Sequence, residues 1–255
     1  MSRKAASHPW GRFVLGMVLA AVFFTAFVLL GNWQVRREAW KLALIHDVAT
    51  RVHAPPVAAP GPEQWPRIEQ GDLQYLHVRL RGRFLSGDQT LVHGASELGY
   101  GYWVMAPLAT DRGFIVLVNR GYVPAGLPGT PAFAKAAPPA GDVTLTGLLR
   151  FSEPGGGFLR PNRPGADQWY SRDVAAIAAA RGLPAKRVAP YFVDADADTQ
   201  RAGGPVAGLT RIHFRNPHVG YAVTWYLLAL GTLVGAGIVI RDRWRASHPR
   251  DEAGS

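Results

Sequence analysis

Two uncharged apolar stretches, one near each end of the chain, limit most strongly what it can fold into. Residues 13–30 (FVLGMVLAAVFFTAFVLL) run for eighteen positions, and residues 221–240 (YAVTWYLLALGTLVGAGIVI) for twenty, without a charged side chain. A helix rises about 1.5 Å per residue, so each stretch comes close to the roughly 20 residues that span hydrocarbon. The first competes with a secretory signal. Its apolar run is long for one, and Gly31-Asn32-Trp33-Gln34 follows it, an interfacial sequence with no small-x-small cleavage site. The second competes with a buried core helix, but Arg211 and Arg215 precede it closely and Arg241, Arg243 and Arg245 follow it. Both read as membrane spans.

Two spans put both chain ends on one side of the membrane. The leading tail carries Arg3, Lys4 and Arg12 with no acid, and the trailing tail carries Arg241, Arg243, Arg245 and Arg250 against Asp242, Asp251 and Glu252. Basic flanks are retained in the cytoplasm. The predicted organisation is a cytoplasmic tail at 1–12, a first transmembrane helix at 13–33, an extracytoplasmic domain at 34–220, a second transmembrane helix at 221–240 and a cytoplasmic tail at 241–255. In a bacterial cell this is a two-pass inner-membrane protein with a periplasmic middle. The mean hydropathy of +0.00 then averages two lipid-soluble helices with a polar domain.

The same topology deflates the net charge of +10, which by itself suggests nucleic acid. Seven of the 28 basic residues lie in the membrane-flanking tails and the rest are scattered, so no nucleic-acid partner is expected. Arg79, Arg81 and Arg83 form the one local run; on a strand they share a face opposite Val78, Leu80 and Phe84, either as a solvated face or as an anion site. The absence of cysteine excludes a disulfide scaffold, thiolate metal sites, covalently attached c-type haem and a thiol copper chaperone.

After the first span the helix should continue through residues 31–45, with Trp33, Arg37 and Trp40 on one interfacial stripe. Residues 54–62, rich in proline, read as a linker. β-like runs follow at 77–84, 89–93, 100–108, 114–120, 143–150 and 188–194, with 114–120 apolar enough to be central and buried. Residues 125–142 read as a surface excursion, and residues 171–181 as a short helix capped by Ser171 and stopped by Gly182. The fold class is thus two transmembrane α-helices flanking a mainly β (α+β) extracytoplasmic domain, a sandwich or small barrel.

No nucleotide loop, nucleophile elbow or His-Glu-x-x-His is present, so no enzyme is expected. The close histidines His213 and His218 are poorly spaced for a shared metal, and Asp194, Asp196 and Asp198 read as a solvated acidic loop. Residues 215–229 (RNPHVGYAVTWYLLA) are more informative. On a helix His218, Tyr221, Trp225 and Leu228 share a face, with the histidine at the outer edge of the apolar run. An ionisable side chain at that depth needs a partner. Two readings stay open: an imidazole ligating a haem iron among packing aromatics, or a wet interfacial histidine.

Four segments resemble the Surfeit locus protein 1 family of cytochrome c oxidase assembly factors. They are Gly31, Trp33, Gln34, Arg37, Trp40 and Lys41; Val118, Asn119, Arg120, Gly121, Val123 and Pro124; Asn162, Pro164, Trp169, Tyr170 and Asp173; and Asn216, His218, Tyr221, Ala222, Thr224 and Trp225. Tyr122 stands where the family usually has tryptophan. The resemblance implies a two-span, non-enzymatic protein that assists insertion of haem a into cytochrome c oxidase subunit I, with that subunit, haem a synthase and membrane lipid as partners. It implies His218 as the haem ligand. Tyr221 and Trp225 would then pack the ring, and Arg36 and Arg37 would either meet the propionates or snorkel to lipid phosphate. A haem-free assembly scaffold and an unrelated envelope sensor are the alternatives. Gly231 and Gly235 form a G-x-x-x-G that suits packing of the two spans against each other, or docking of an oxidase helix.

Overall fold

The computed structural model describes residues 9–68, 73–87, 89–157, 160–210 and 217–248. In chain order the elements are α1 (Pro9–His53), β1 (Val57–Ala58), β2 (His77–Phe84), β3 (Thr90–Ser96), β4 (Gly99–Thr110), β5 (Ile115–Pro124), β6 (Asp142–Phe151), α2 (Val174–Ala180), β7 (Val188–Ala195) and α3 (His218–Ser247). They divide into two compact units, residues 1–46 with 213–255, and residues 47–212.

In the first unit α1 and α3 pair antiparallel. Arg243 lies over the Phe13 ring at 4.4 Å, Phe27 stacks on Trp225 at 5.8 Å, and Gln34 meets His218, so residue numbers climb on one helix as they fall on the other. The less exposed positions recur at alternating steps of four and three: Phe13, Met17, Ala20, Phe24, Phe27, Gly31 and Gln34 on α1, and His218, Ala222, Trp225, Ala229, Thr232 and Ala236 on α3. That repeat of about 3.5 residues is the seam of a left-handed helix pair. Off the seam the apolar side chains face outward, as at Leu15 and Leu227. A core helix of a soluble protein would bury them. Both helices are long and apolar enough to cross a membrane, and they fit a two-pass membrane protein.

Gly231 and Gly235 do not pack the spans together. They fall one position off the seam, and a Cβ built at either meets only open space. The close approach is made by Gly31, where a Cβ would lie 2.7 Å from the Tyr226 ring.

In the second unit the strand order is β1-β2-β6-β7-β5-β4-β3, and an additional β2–β4 pairing closes five of these strands into a small barrel. β5 and β7 are parallel, while β2–β6, β6–β7, β4–β5 and β2–β4 are antiparallel. Closure occurs at the end of β2, where Gly82, Arg83 and Phe84 pair with Thr110, Ala109 and Leu108 while the strand still holds β6. Gly82 permits it, because a Cβ there would lie 2.1 Å from the Ala109 carbonyl oxygen. All five barrel strands feed one core through Val78, Leu80, Ala106, Leu108, Val116, Val118, Leu145, Leu149, Tyr191 and Val193. The alternate side chains Met105, Ile115, Leu117 and Phe192 join Trp169 and the α2 residues Val174 and Ile177 in a second core. β5 is therefore buried on both faces, which its unbroken apolar run demands.

The strand at 77–84 is found with the expected bounds and alternation, its three arginines outward and Arg83 paired with Asp142 at 3.0 Å. Two expectations change, the linker and the α2 cap, and the surface excursion gains a tether. The linker docks on the barrel: β1 pairs with β2, Ala59 is buried, and the Pro60 carbonyl accepts from Tyr191 at 2.7 Å and Trp65 at 3.2 Å. The excursion 125–142 is fastened by the Arg120 guanidinium, which donates to the carbonyls of Ala136 and Ala137 and leaves Ala136 buried. The α2 cap is Asp173, whose carboxylate accepts from the Ala176 amide at 3.1 Å. Ser171 is instead buried, accepting from Gly156 N and Asn162 Nδ2. Gly182 ends the helix with φ of 64°.

Candidate functional site

The end of the helix pair at Gln34 and His218 gathers residues from both ends of the sequence. His218 opens α3, and its Nδ1 lies 2.8 Å from Oε1 of Gln34, a side chain only 8% exposed within the α1 seam. Asn32 Oδ1 accepts from the Tyr226 hydroxyl at 2.7 Å, and the Tyr226 ring lies over Gly31. Deeper in the pair, Trp225 stacks on Phe27 with an interplanar angle of 24°. The first and last of the four motifs thus form one structure. With the amide oxygen of Gln34 as acceptor, Nδ1 carries the ring hydrogen and Nε2 keeps its lone pair. Among the described residues, Nε2 of His218 has no hydrogen-bond partner.

The expected site residues are distributed unevenly about this pair. His218 and Trp225 lie in the seam, whereas Tyr221 and Leu228, expected on the same face, are 55% and 44% exposed on the flank. The difference is one of phase: both sets step by threes and fours, but the seam leaves His218 by a step of four through Ala222, which puts Tyr221 on its flank. Trp225 is committed to Phe27. Arg37 is exposed, with its guanidinium 4.2 Å above the Trp40 ring, and lies on the flank of α1 one turn beyond Gln34. Arg36 is exposed, donates weakly to the Asn32 carbonyl at 3.4 Å, and sits about 200° around α1 from Gln34. Asn216, His213, Arg211 and Arg215 lie outside the described residues.

The barrel carries a second polar centre that the sequence reading took for a solvated loop. Asp194 is 3% exposed and accepts four hydrogen bonds: Asn119 at 2.7 Å, Arg150 at 2.8 Å, Thr210 at 3.0 Å and Arg172 at 3.2 Å. Arg172 also grips Glu153, at 2.6 and 3.0 Å. Burial pulls the Arg172 pKa down, but the Glu153 hydrogen bonds and the charges of Asp194 and Glu153 outweigh it and hold the guanidinium above its ordinary value. For Asp194 the loop reading fails because the residue pairs within β7, opposite Asn119 and Leu148, whereas Asp196 and Asp198 follow the strand. Asp196 pairs with His77 at 2.8 Å, and among the described residues no three His, Cys, Asp or Glu side chains converge on a metal position.

The second and third motifs are absorbed into this scaffold. Asn119 also accepts from the Gly121 amide, and Gly121 adopts φ of 122° where a Cβ would lie 2.3 Å from the Val206 carbonyl oxygen. Asn162 accepts from the amides of Tyr170 and Ser171, and the fully buried Trp169 donates to Asp167 at 2.7 Å. Arg120 is lowered to about 10 by burial and then by the charge of Arg201. These side chains fasten backbone. Sequence reasoning missed two pairings, Asn119–Asp194 and Gln34–His218. The signal for the second was a lone polar side chain at seam spacing from Phe27 and Gly31.

Comparison with known proteins matches residues 21–230 to the model of the SURF1 family. The chain is 35% identical to Surfeit locus protein 1 of Rattus norvegicus over 82% of its own length and 70% of the relative's. It is also 35% identical to Surfeit locus protein 1 of Homo sapiens, over 86% and 75% respectively. With the SURF1-like protein of Drosophila melanogaster it shares 34% identity, over 86% and 75%. A match across most of the chain, with the first and last motifs joined in one helix pair and the other two built into the barrel, makes the chain a member of the SURF1 family.

Proposed function

We propose that this protein is a non-enzymatic assembly factor for haem–copper cytochrome c oxidase, acting around insertion of haem a into subunit I. Its termini lie in the cytoplasm and its barrel domain outside the inner membrane, as the basic flanks direct. Subunit I, haem a synthase and lipid are its partners. The observation that supports the haem role best is the His218 ring, held through one nitrogen and, among the described residues, without a partner at the other.

The donor set fits a haem held from one side. Nε2 of His218 would ligate the iron, the exposed Tyr221 ring would cover apolar porphyrin, and Arg37, one turn from Gln34, would meet a propionate. Trp225 and Arg36 were expected beside them. Trp225 would act through the Phe27 stack, and Arg36, directed away from the seam, would anchor to lipid phosphate. Bound haem would supply an iron that takes a nitrogen ligand; His218 would supply that nitrogen and Tyr221 an apolar contact.

A haem-free scaffold is the second reading, favoured by one fact: the Gln34–His218 bond also ties the two helices together. A strain lacking the protein tests the assembly function. Oxidase activity and haem a content in subunit I should fall and return when the full chain is restored. Normal oxidase in the deletion strain would overturn it. Full complementation by His218→Ala would select the scaffold.

A further inference from the structure

Gln34 stands out in the α1 seam, a buried amide among Phe24, Phe27 and Gly31. A polar group at a helix interface next to lipid needs a partner, because hydrocarbon offers none. Its partner comes from 184 positions away in the sequence, the Nδ1 of His218 at 2.8 Å. Two neighbouring contacts hold the amide in place. The Asn32 side-chain oxygen Oδ1 accepts from the Tyr226 hydroxyl, and the Tyr226 ring packs on the bare backbone of Gly31, which fixes the register of α1 against α3 within one turn of Gln34. Imidazole orientation and tautomer are set by whatever the non-ligating nitrogen binds.

We propose that Gln34 is the positioning residue for His218: its side-chain carbonyl accepts the Nδ1–H bond, fixes that tautomer and turns Nε2 outward as the ligating nitrogen. This rests on the haem-binding reading above. Gln34 itself touches no haem and acts only through the imidazole. A histidine with no such acceptor is free to carry its hydrogen on Nε2, which blocks ligation until the ring rearranges.

The test uses the full chain in lipid nanodiscs, labelled with ¹⁵N-histidine, with hemin as the probe. At alkaline pH, without hemin, the His218 signals (assigned by their loss in His218→Ala) should report a hydrogen on Nδ1 and none on Nε2. Gln34→Leu should move the hydrogen toward Nε2 and weaken hemin binding by roughly ten- to a hundredfold. In the ferrous form the iron–histidine stretching frequency should drop in Gln34→Leu and rise in Gln34→Glu, whose carboxylate is a stronger acceptor. If Gln34→Leu does not fold, the Gln34→Glu frequency decides alone, and no rise overturns the proposal. An unchanged tautomer, or unchanged hemin affinity and stretching frequency, in Gln34→Leu also overturns it. Failure of the haem reading looks different: His218→Ala would bind hemin like the wild type while the tautomer still responded to Gln34.

Discussion

In the barrel, the buried carboxylate of Asp194 takes four hydrogen bonds, and both of its arginine partners are also close to Glu153. In the helix pair, the His218 imidazole takes one bond among the described residues, from one nitrogen, and Gln34 supplies it. Both regions bury polar groups, but Asp194 has both carboxylate oxygens bonded, whereas His218 has, among the described residues, one ring nitrogen bonded and the other without a partner. Family motifs fall in both regions, and the contrast separates their roles. Asn119, Gly121, Asn162 and Trp169 hold the barrel fold; Gln34 and His218 join the two helices, and it is there that the proposed haem site lies.

Substitutions can break this contrast, and the largest effect belongs to the barrel. Asp194→Ala strips the counter-charge from Arg150 and Arg172, whose side chains are 14% and 15% exposed. Removing one partner from a buried ion network costs about 3–5 kcal/mol. Denaturant unfolding of the full chain should show that loss, and a change below about 1 kcal/mol would mean the network is not integral to the fold.

Next is the helix pair. Gly31→Val puts side-chain atoms where the Tyr226 ring lies, and overpacking of this kind costs about 1–3 kcal/mol. Disulfide cross-linking between cysteines introduced on α1 and α3 should slow markedly. The double change Gly231→Leu with Gly235→Leu should leave that cross-linking unchanged, since both glycines face open space. Slowed cross-linking in the double variant would return those glycines to the seam.

Smaller still is Tyr191→Phe, which removes the hydroxyl bond to the Pro60 carbonyl, worth about 1 kcal/mol. Burial raises the pKa of this phenol above its ordinary value. Its contribution is therefore full below pH about 10 and is lost as pH rises further, because the unfolded chain ionises first. A stability profile above pH 10 should be flatter in Tyr191→Phe than in the wild type; identical slopes would refute that assignment. Tyr122→Phe should change stability least, by less than about 0.5 kcal/mol or slightly upward. The Tyr122 hydroxyl is buried with no hydrogen-bond partner among the described residues, at the position where the family usually has tryptophan.

What could be read from the sequence follows from the range of the forces involved. The bounds of β2 and the double burial of β5 are local patterns, alternation in one and an unbroken apolar run in the other. Closure of the barrel was not legible, because Gly82 opposite Ala109 and Thr110 is a tertiary contact with no periodic signature. The Asp194 alternation resembled a solvated loop because its partners Asn119, Arg150 and Arg172 lie on β5, on β6 and just before α2. His218 was legible as a residue but not as a geometry. Its helix face was taken through Tyr221 and Leu228, whereas the seam runs through Ala222 and Ala229, a choice of phase that only the partner helix decides; that helix also brings Gln34 from the other end of the chain.

The claim that the helix pair leaves His218 open as a ligand is tested most directly by purifying the full chain from cells that make haem a. Wild type and His218→Ala would be compared by Soret spectrum and haem content per chain. The expected result is bound haem a in the wild type and at least a tenfold loss in His218→Ala, with the protein still folded. Equal spectra and equal haem content in the two proteins would contradict it.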